Sequence, residues 1–248
     1  MTRTLLIVAA CLLVPGMAAA QFGDEPAPAA YPQPAPRYQA EMPASAPASA
    51  AVLQGFVLSL ELGYAPAIGD ADKTTTGTGE AMTDVVSSHV PLVLGVGYRI
   101  NPLVSVGGIF QYGFAHLDSS ACPSGVSCSA SDLRLGAEVR LHFLSEQPFS
   151  PWVSAGFGYE WFNVDMSQGS LSANLTYKGF EFLNLEAGGD FRVSPSFTLG
   201  PFIGLRVQQF DSMSGTNSSG TNISQEIPSD QKAVHGWVAF GLRGMFTL

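Results

Sequence analysis

Beyond its first twenty residues, this sequence has no run approaching the roughly 20 apolar residues that a membrane-spanning helix needs. Charge is also scarce. Only 12% of residues are Asp, Glu, Lys or Arg, and acidic residues outnumber basic ones by 20 to 11. That balance excludes nucleic acid as a partner, because a phosphate backbone is met by a basic surface. Cysteine is nearly absent. Of the three, Cys11 falls in the first twenty residues, which leaves Cys122 and Cys128. Two thiols without a nearby histidine pair do not complete a tetrahedral metal site, so no metal and no cofactor is expected. Histidine is limited to His89, His116, His142 and His235, and no His-x-Ser pattern accompanies them.

What is present begins with an export pattern. Arg3 supplies a positive start, Leu5 to Val14 is apolar, and Ala18-Ala19-Ala20 offers small residues before Gln21. Residues 1–20 therefore read as a cleaved signal peptide. Cys11 lies inside its apolar stretch, which argues against lipidation there. In an exported chain, Cys122 and Cys128 are close enough to form a disulfide that closes a small loop. Residues 21–53 are rich in Pro and Ala, including Pro26, Pro28, Pro32, Pro34, Pro36, Pro43 and Pro47. Such a segment buries no core and favours extended polyproline geometry, so it is expected to be a disordered tether.

From residue 54 onward, apolar residues recur with a period of two, the signature of strands. Eight such segments are expected: 54–65, 88–100, 103–115, 131–144, 150–162, 175–193, 197–210 and 236–248. The last is the clearest. Val238, Phe240, Leu242, Phe246 and Leu248 fall on one parity, and Arg243 falls on the other. Each segment is long enough to cross a bilayer as a tilted strand of about 9–11 residues. The connections alternate in length. Asn101-Pro102, 145–149 and 194–196 are short, whereas 66–86, 116–130, 163–174 and 211–232 are long and polar.

The faces opposite the apolar ones carry Glu61, Arg99, Arg134, Glu138, Arg140, Glu160, Glu186, Asp190, Arg192, Arg206 and Arg243. These are five acids and six bases at mid-strand. Such balance suits a closed lumen, where buried charges must be paired. The apolar faces then point outward into lipid. Counting from the turns pairs Arg134 with Glu160, Glu61 with Arg243, and Glu186 with Arg206. Aromatics collect at both ends: Phe56, Tyr98, Phe143, Phe197 and Phe246 near the short turns, and Tyr64, Tyr112, Phe114, Tyr159 and Trp161 near the long loops. Rings of this kind favour membrane interfaces.

Strand count, loop asymmetry and the terminal strand together make residues 54–248 resemble the small eight-stranded outer-membrane barrels, the class of the OmpA transmembrane domain and OmpX. The resemblance implies an all-β, antiparallel, up-and-down transmembrane barrel in the bacterial outer membrane, with short periplasmic turns and long extracellular loops. It implies a monomer in contact with outer-membrane lipid and lipopolysaccharide. It further implies a C-terminal signal read by the barrel assembly machinery after escort by periplasmic chaperones. The residues matching that signal are Phe240, Leu242, Phe246 and Leu248; its last position is usually Phe and is Leu here.

An eight-stranded barrel is just wide enough for side chains. Arg, Glu, Phe202 and Trp237 should therefore fill the lumen, giving a structural or surface-interaction protein that works through its loops rather than an enzyme. The alternative is a narrow channel or a transporter of small or apolar solutes, with a lateral opening at Pro91 or Pro201, where a ladder is interrupted. A local bulge is the simpler account of each proline. A third reading, a lipid-modifying membrane enzyme, requires a nucleophile, base and orienting group in reach of one another. His142 and His235 fall on the lumen parity at opposite ends, while His89 and His116 sit near the outer rim, where they could face each other across loops.

Overall fold

The computed structural model describes residues 54–73, 79–118 and 120–248. The expected signal peptide and the Pro/Ala tether lie outside the described residues. Among the described residues, nine strands form one antiparallel sheet. They are β1 (Gly55–Gly69), β2 (Val86–Arg99), β3 (Val104–Leu117), β4 (Ser127–His142), β5 (Phe149–Gln168), β6 (Leu171–Ser194), β7 (Phe197–Asn217), β8 (Asn222–Glu226) and β9 (His235–Thr247). A short helix, α1 (Met82–Val85), precedes β2. Consecutive strands from β1 to β7 pair with one another, β7 pairs with β9, and β9 returns to β1. The ring therefore has eight strands. The ninth, β8, pairs only with the far end of β7 and stands outside the ring.

Alternation decides the two sides of the wall. Leu60 and Leu62 are 54% and 57% exposed, while Glu61 between them is 2% exposed. The same contrast runs around the ring, from Leu94 and Val96 on β2 to Phe240 and Leu242 on β9, all exposed. A continuous apolar exterior is unfavourable in water and favourable in hydrocarbon. A closed ladder is one of the two structures that satisfy every backbone polar group there. The chain is thus a membrane-spanning barrel with lipid-facing leucines and an inward polar face. Its rims carry the expected rings: Phe56 lies edge-on to Tyr98 at 5.4 Å and Phe197 packs on Phe246 at 4.4 Å at one end, with Tyr159 against Trp161 at 4.9 Å at the other.

The short turns are built locally. The Asn101 side-chain oxygen accepts from the backbone N–H groups of Leu103 and Val104, both at 2.8 Å, which folds the β2–β3 turn back on itself. The long connections depart from expectation. Strand β4 begins at Ser127, β5 runs to Gln168, β6 starts at Leu171, and β7 continues to Asn217. Most of 163–174, together with parts of 116–130 and 211–232, is therefore paired strand. The β5–β6 hairpin closes through Gly169, whose φ of 60° is readily reached without a Cβ.

Neither proline opens the wall. Around Pro91 the β1–β2 ladder skips from Leu62↔Leu92 to Ala65↔His89 without a change of register, and β2–β3 stays paired through Pro91↔Gly113. Around Pro201 the β6–β7 ladder skips from Gly188↔Phe202 to Phe191↔Leu199, while β7–β9 holds at Pro201↔Leu242. Each proline leaves a gap in one ladder with no inserted residue, so neither a bulge nor a lateral opening is found. The register shifts instead in β6 between Glu181 and Leu183, where an extra residue opposes one on β7.

Sidedness is directly testable. Leu62 pairs with Leu242 across the closing seam. Leu62→Arg should destabilise the barrel by about 2–4 kcal/mol, the cost of a cation on the lipid face near mid-bilayer. Unfolding by urea in lipid vesicles measures it. A loss below the cost of an ordinary surface substitution would place Leu62 away from lipid.

Candidate functional site

Among the described residues, the lumen gathers the buried charged side chains, and it is built from inward positions on all eight ring strands. At the short-turn end, Arg99 of β2 donates to His142 Nδ1 at 2.9 Å, and Ser105 Oγ lies 3.1 Å from His142 Nε2. Just inward, Trp152 of β5 is packed between charges. The guanidinium carbons of Arg243 and Arg140 lie 4.1 and 4.3 Å from its ring centroid, and its indole N–H donates to Asp190 at 3.1 Å. Arg243 is ion-paired with Asp190 at 2.5 Å.

At mid-barrel, Arg140 gathers three carboxylates: Glu138 at 2.9 Å, Glu61 at 3.3 Å and Glu186 at 3.7 Å. Glu186 also meets Arg206 at 3.2 Å. Above them, Arg134 meets Glu181 at 2.6 Å. Glu160 accepts from Gln208 at 2.7 Å and from Trp237 at 3.4 Å, and lies 3.3 Å from His235. Gln111 donates to Asp132 at 2.5 Å. The outer mouth is apolar. Met82 of α1 is buried with Ala65, Ala67, Val86, Phe162, Phe210 and Trp237.

Of the expected pairs, Glu186 and Arg206 lie within ion-pair distance, at 3.2 Å. Arg134 and Glu160 are register partners, as are Glu61 and Arg243, but neither couple forms an ion pair. Arginine side chains are long enough to cross the lumen, so Arg134 reaches Glu181 on β6, and Arg243 reaches Asp190 on β6. Arg192 is corrected outright. It is exposed, and its guanidinium donates to the Ser145 carbonyl at the short-turn rim.

Two acids were missed, Asp132 and Glu181, which are 1% and 0% exposed. The set thus becomes seven acids and five arginines, with the surplus carboxylates met by neutral donors from Gln111, Gln208 and Trp237. Glu181 shares its parity with the lipid-facing Leu185, yet the β6 bulge inverts that parity. Phe180 and Phe182, both exposed on even positions, are the signal that reveals it.

The histidines argue against nucleophilic catalysis where, among the described residues, a serine hydroxyl meets a histidine ring, at Ser105 and His142. Arg99 can only donate, so His142 accepts through Nδ1 and must carry its proton on Nε2. Nε2 then donates to Ser105 instead of accepting its proton, the wrong tautomer for a general base. His89 and His116 do not face each other: His89 is buried against Trp237 with ring centroids 4.2 Å apart, and His116 is exposed.

One cavity beside the lumen residues Ser59, Ser105 and Arg140 and another at the short-turn mouth hold about 20 Å³ each, space for roughly one water molecule. The larger grooves, about 670 and 820 Å³, lie on the lipid face among residues such as Val153, Leu185, Val106 and Phe157. Above the outer rim, Cys122 and Cys128 form a disulfide, as expected. In the same loop the hydroxyl and backbone N–H of Ser120 both donate to Asp118, which holds its carboxyl below the usual carboxylate range. The residues matching the terminal assembly signal, Phe240, Leu242, Phe246 and Leu248, are all exposed on the outer face.

The family model described as "Autotransporter beta-domain" matches residues 63–231. No curated protein matches the chain. Among solved structures, Neisserial surface protein A (NspA) is 17% identical with a TM-score of 0.46, covering 78% of this chain and 97% of its own. OprG from Pseudomonas aeruginosa is 15% identical with a TM-score of 0.48, covering 79% and 98%. Ail, the attachment invasion locus protein of Yersinia pestis, is 16% identical with a TM-score of 0.37, covering 77% and 99%.

Proposed function

We propose, since this chain belongs to the autotransporter beta-domain family, that its eight-stranded outer-membrane barrel is a non-conducting, non-enzymatic anchor that presents an extracellular β-sheet to surface partners. One observation carries this reading: the lumen is filled where a channel would need space, while the strands run on past the outer rim. Strand β5 continues from Trp161 to Gln168, and seven residues at about 3.3 Å each lift its hairpin by up to roughly 20 Å. Strand β8 widens that projecting sheet, and the Cys122–Cys128 bridge ties down the neighbouring loop. The surface partner is left to the chemistry of these polar strands.

Under this reading the lipid belt contacts outer-membrane lipid and lipopolysaccharide as a monomer. Phe240, Leu242, Phe246 and Leu248 are what the assembly machinery reads after periplasmic chaperones release the chain. The test is electrical. The full chain in a planar bilayer should give no reproducible single-channel steps. Regular conductance that changes with Arg140→Ala or Arg243→Ala would replace the anchor reading with the channel reading.

A further inference from the structure

We propose that the short-turn mouth of the barrel holds an oxyanion-binding site centred on Arg99, open to a carboxylate or phosphate from the periplasmic side. Five arginines have buried lumen positions, and four of them have a carboxylate within 4.0 Å: Arg134, Arg140, Arg206 and Arg243. Arg99 is the exception among the described residues. It is 4% exposed, and its hydrogen bond goes to the neutral ring of His142, where the other four each meet a carboxylate. A buried guanidinium without a counter-ion is costly, so the fold has placed it where one can be supplied.

The surroundings match that need. Arg99 and Arg192 line one cavity of about 20 Å³ at the mouth, together with Ser150, Ser196, Thr198 and Thr247. The Thr198 hydroxyl is also buried without a partner. Asp190 lines the same cavity, but its carboxylate is engaged by Arg243 and by the Trp152 N–H. Glu146, the acid of the adjacent turn, is exposed and forms no ion pair among the described residues. The mouth thus presents the Arg99 guanidinium, that of Arg192 with one N–H already given to the Ser145 carbonyl, and the hydroxyls of Ser196, Thr198 and Thr247 (Ser150 donates to the Phe143 carbonyl) against one carboxylate already in use. Its volume admits a single anionic oxygen. Guanidinium forks suit carboxylate and phosphate oxygens better than spherical ions.

The experiment follows the Arg99 Nε–H resonance by NMR, with the full chain refolded in detergent micelles and Arg99→Lys used to assign the signal. Sodium acetate, inorganic phosphate and sodium chloride are titrated separately, with ionic strength held constant by sodium fluoride. A saturable shift of this signal with acetate or phosphate is expected, and whichever of the two saturates at lower concentration identifies the source. Arg192→Gln, an exposed rim change that leaves the fold intact, should weaken binding roughly tenfold, the effect of one lost charge-assisted hydrogen bond. The proposal is overturned by a linear drift shared by all arginines, by equal saturation with chloride, or by binding that Arg192→Gln leaves unchanged.

Discussion

Arg134→Met should destabilise the folded barrel by about 3–5 kcal/mol, the usual consequence of leaving the partner of a buried ion pair uncompensated. The side chains of Arg134 and Glu181 are 1% and 0% exposed and meet at 2.6 Å. Without the guanidinium, the Glu181 carboxylate sits inside the wall with neither water nor a cation. The size of the loss comes from that stranded charge more than from the attraction itself, so the pair can be removed together at little cost. Arg134→Met combined with Glu181→Gln should recover most of the stability. Arg134→Met combined with Glu160→Gln should recover less, because Glu160 has its own donors in Gln208 and Trp237. Urea unfolding in phospholipid vesicles, against the unsubstituted chain, gives all three values. Equal rescue by the two double variants would return Arg134 to its register partner Glu160 and sink the Glu181 assignment.

That comparison also marks how far the sequence could be read. Strand existence, the ring of eight and the direction of each face follow from period-two alternation, because hydrocarbon outside and side chains inside impose opposite demands on neighbouring residues. Cross-strand register was legible too: Arg134 does face Glu160, and Glu61 does face Arg243. Ion pairing was not. Register is fixed by backbone ladders over about 5 Å, whereas an arginine can span a narrow lumen and choose a carboxylate two or three strands away. Glu181 was hidden by a single inserted residue in β6, which exchanges the two faces for everything above it.

The projecting parts of β5, β6 and β7 were hidden for another reason. Stretches such as Asp165 to Ser167 and Ser172 to Thr176 are exposed or only half-buried on both faces, so nothing selects an apolar alternation, and paired strand reads as polar loop. Arg192 failed at the opposite end. Its parity matches the lumen and it still pairs with Thr198 of β7, but the pairing with β5 stops at Phe191, and at such a rim parity no longer separates inside from outside.

Trp152→Ala should be the costliest truncation in the lower lumen, at about 3–5 kcal/mol. Trp152 is among the largest fully buried side chains, and its position opposite Gly188 leaves no slack, since a Cβ at Gly188 would come within 2.5 Å of the indole. The ring does three jobs at once. It fills the space against Gly188, its N–H holds Asp190, and its face receives the guanidiniums of Arg140 and Arg243. Cation–aromatic contacts of this desolvated kind contribute up to about 2 kcal/mol each. Alanine removes all three and leaves two like charges with no aromatic surface between them and the remaining void. Trp152→Phe keeps the filling and part of the ring face but loses the donor, so its cost should fall to about 1–2 kcal/mol. The same vesicle unfolding assay ranks them. If phenylalanine is as damaging as alanine, the indole N–H to Asp190 is the dominant contribution. If both are mild, water replaces the ring without penalty, and the lower lumen is held by its ion pairs alone.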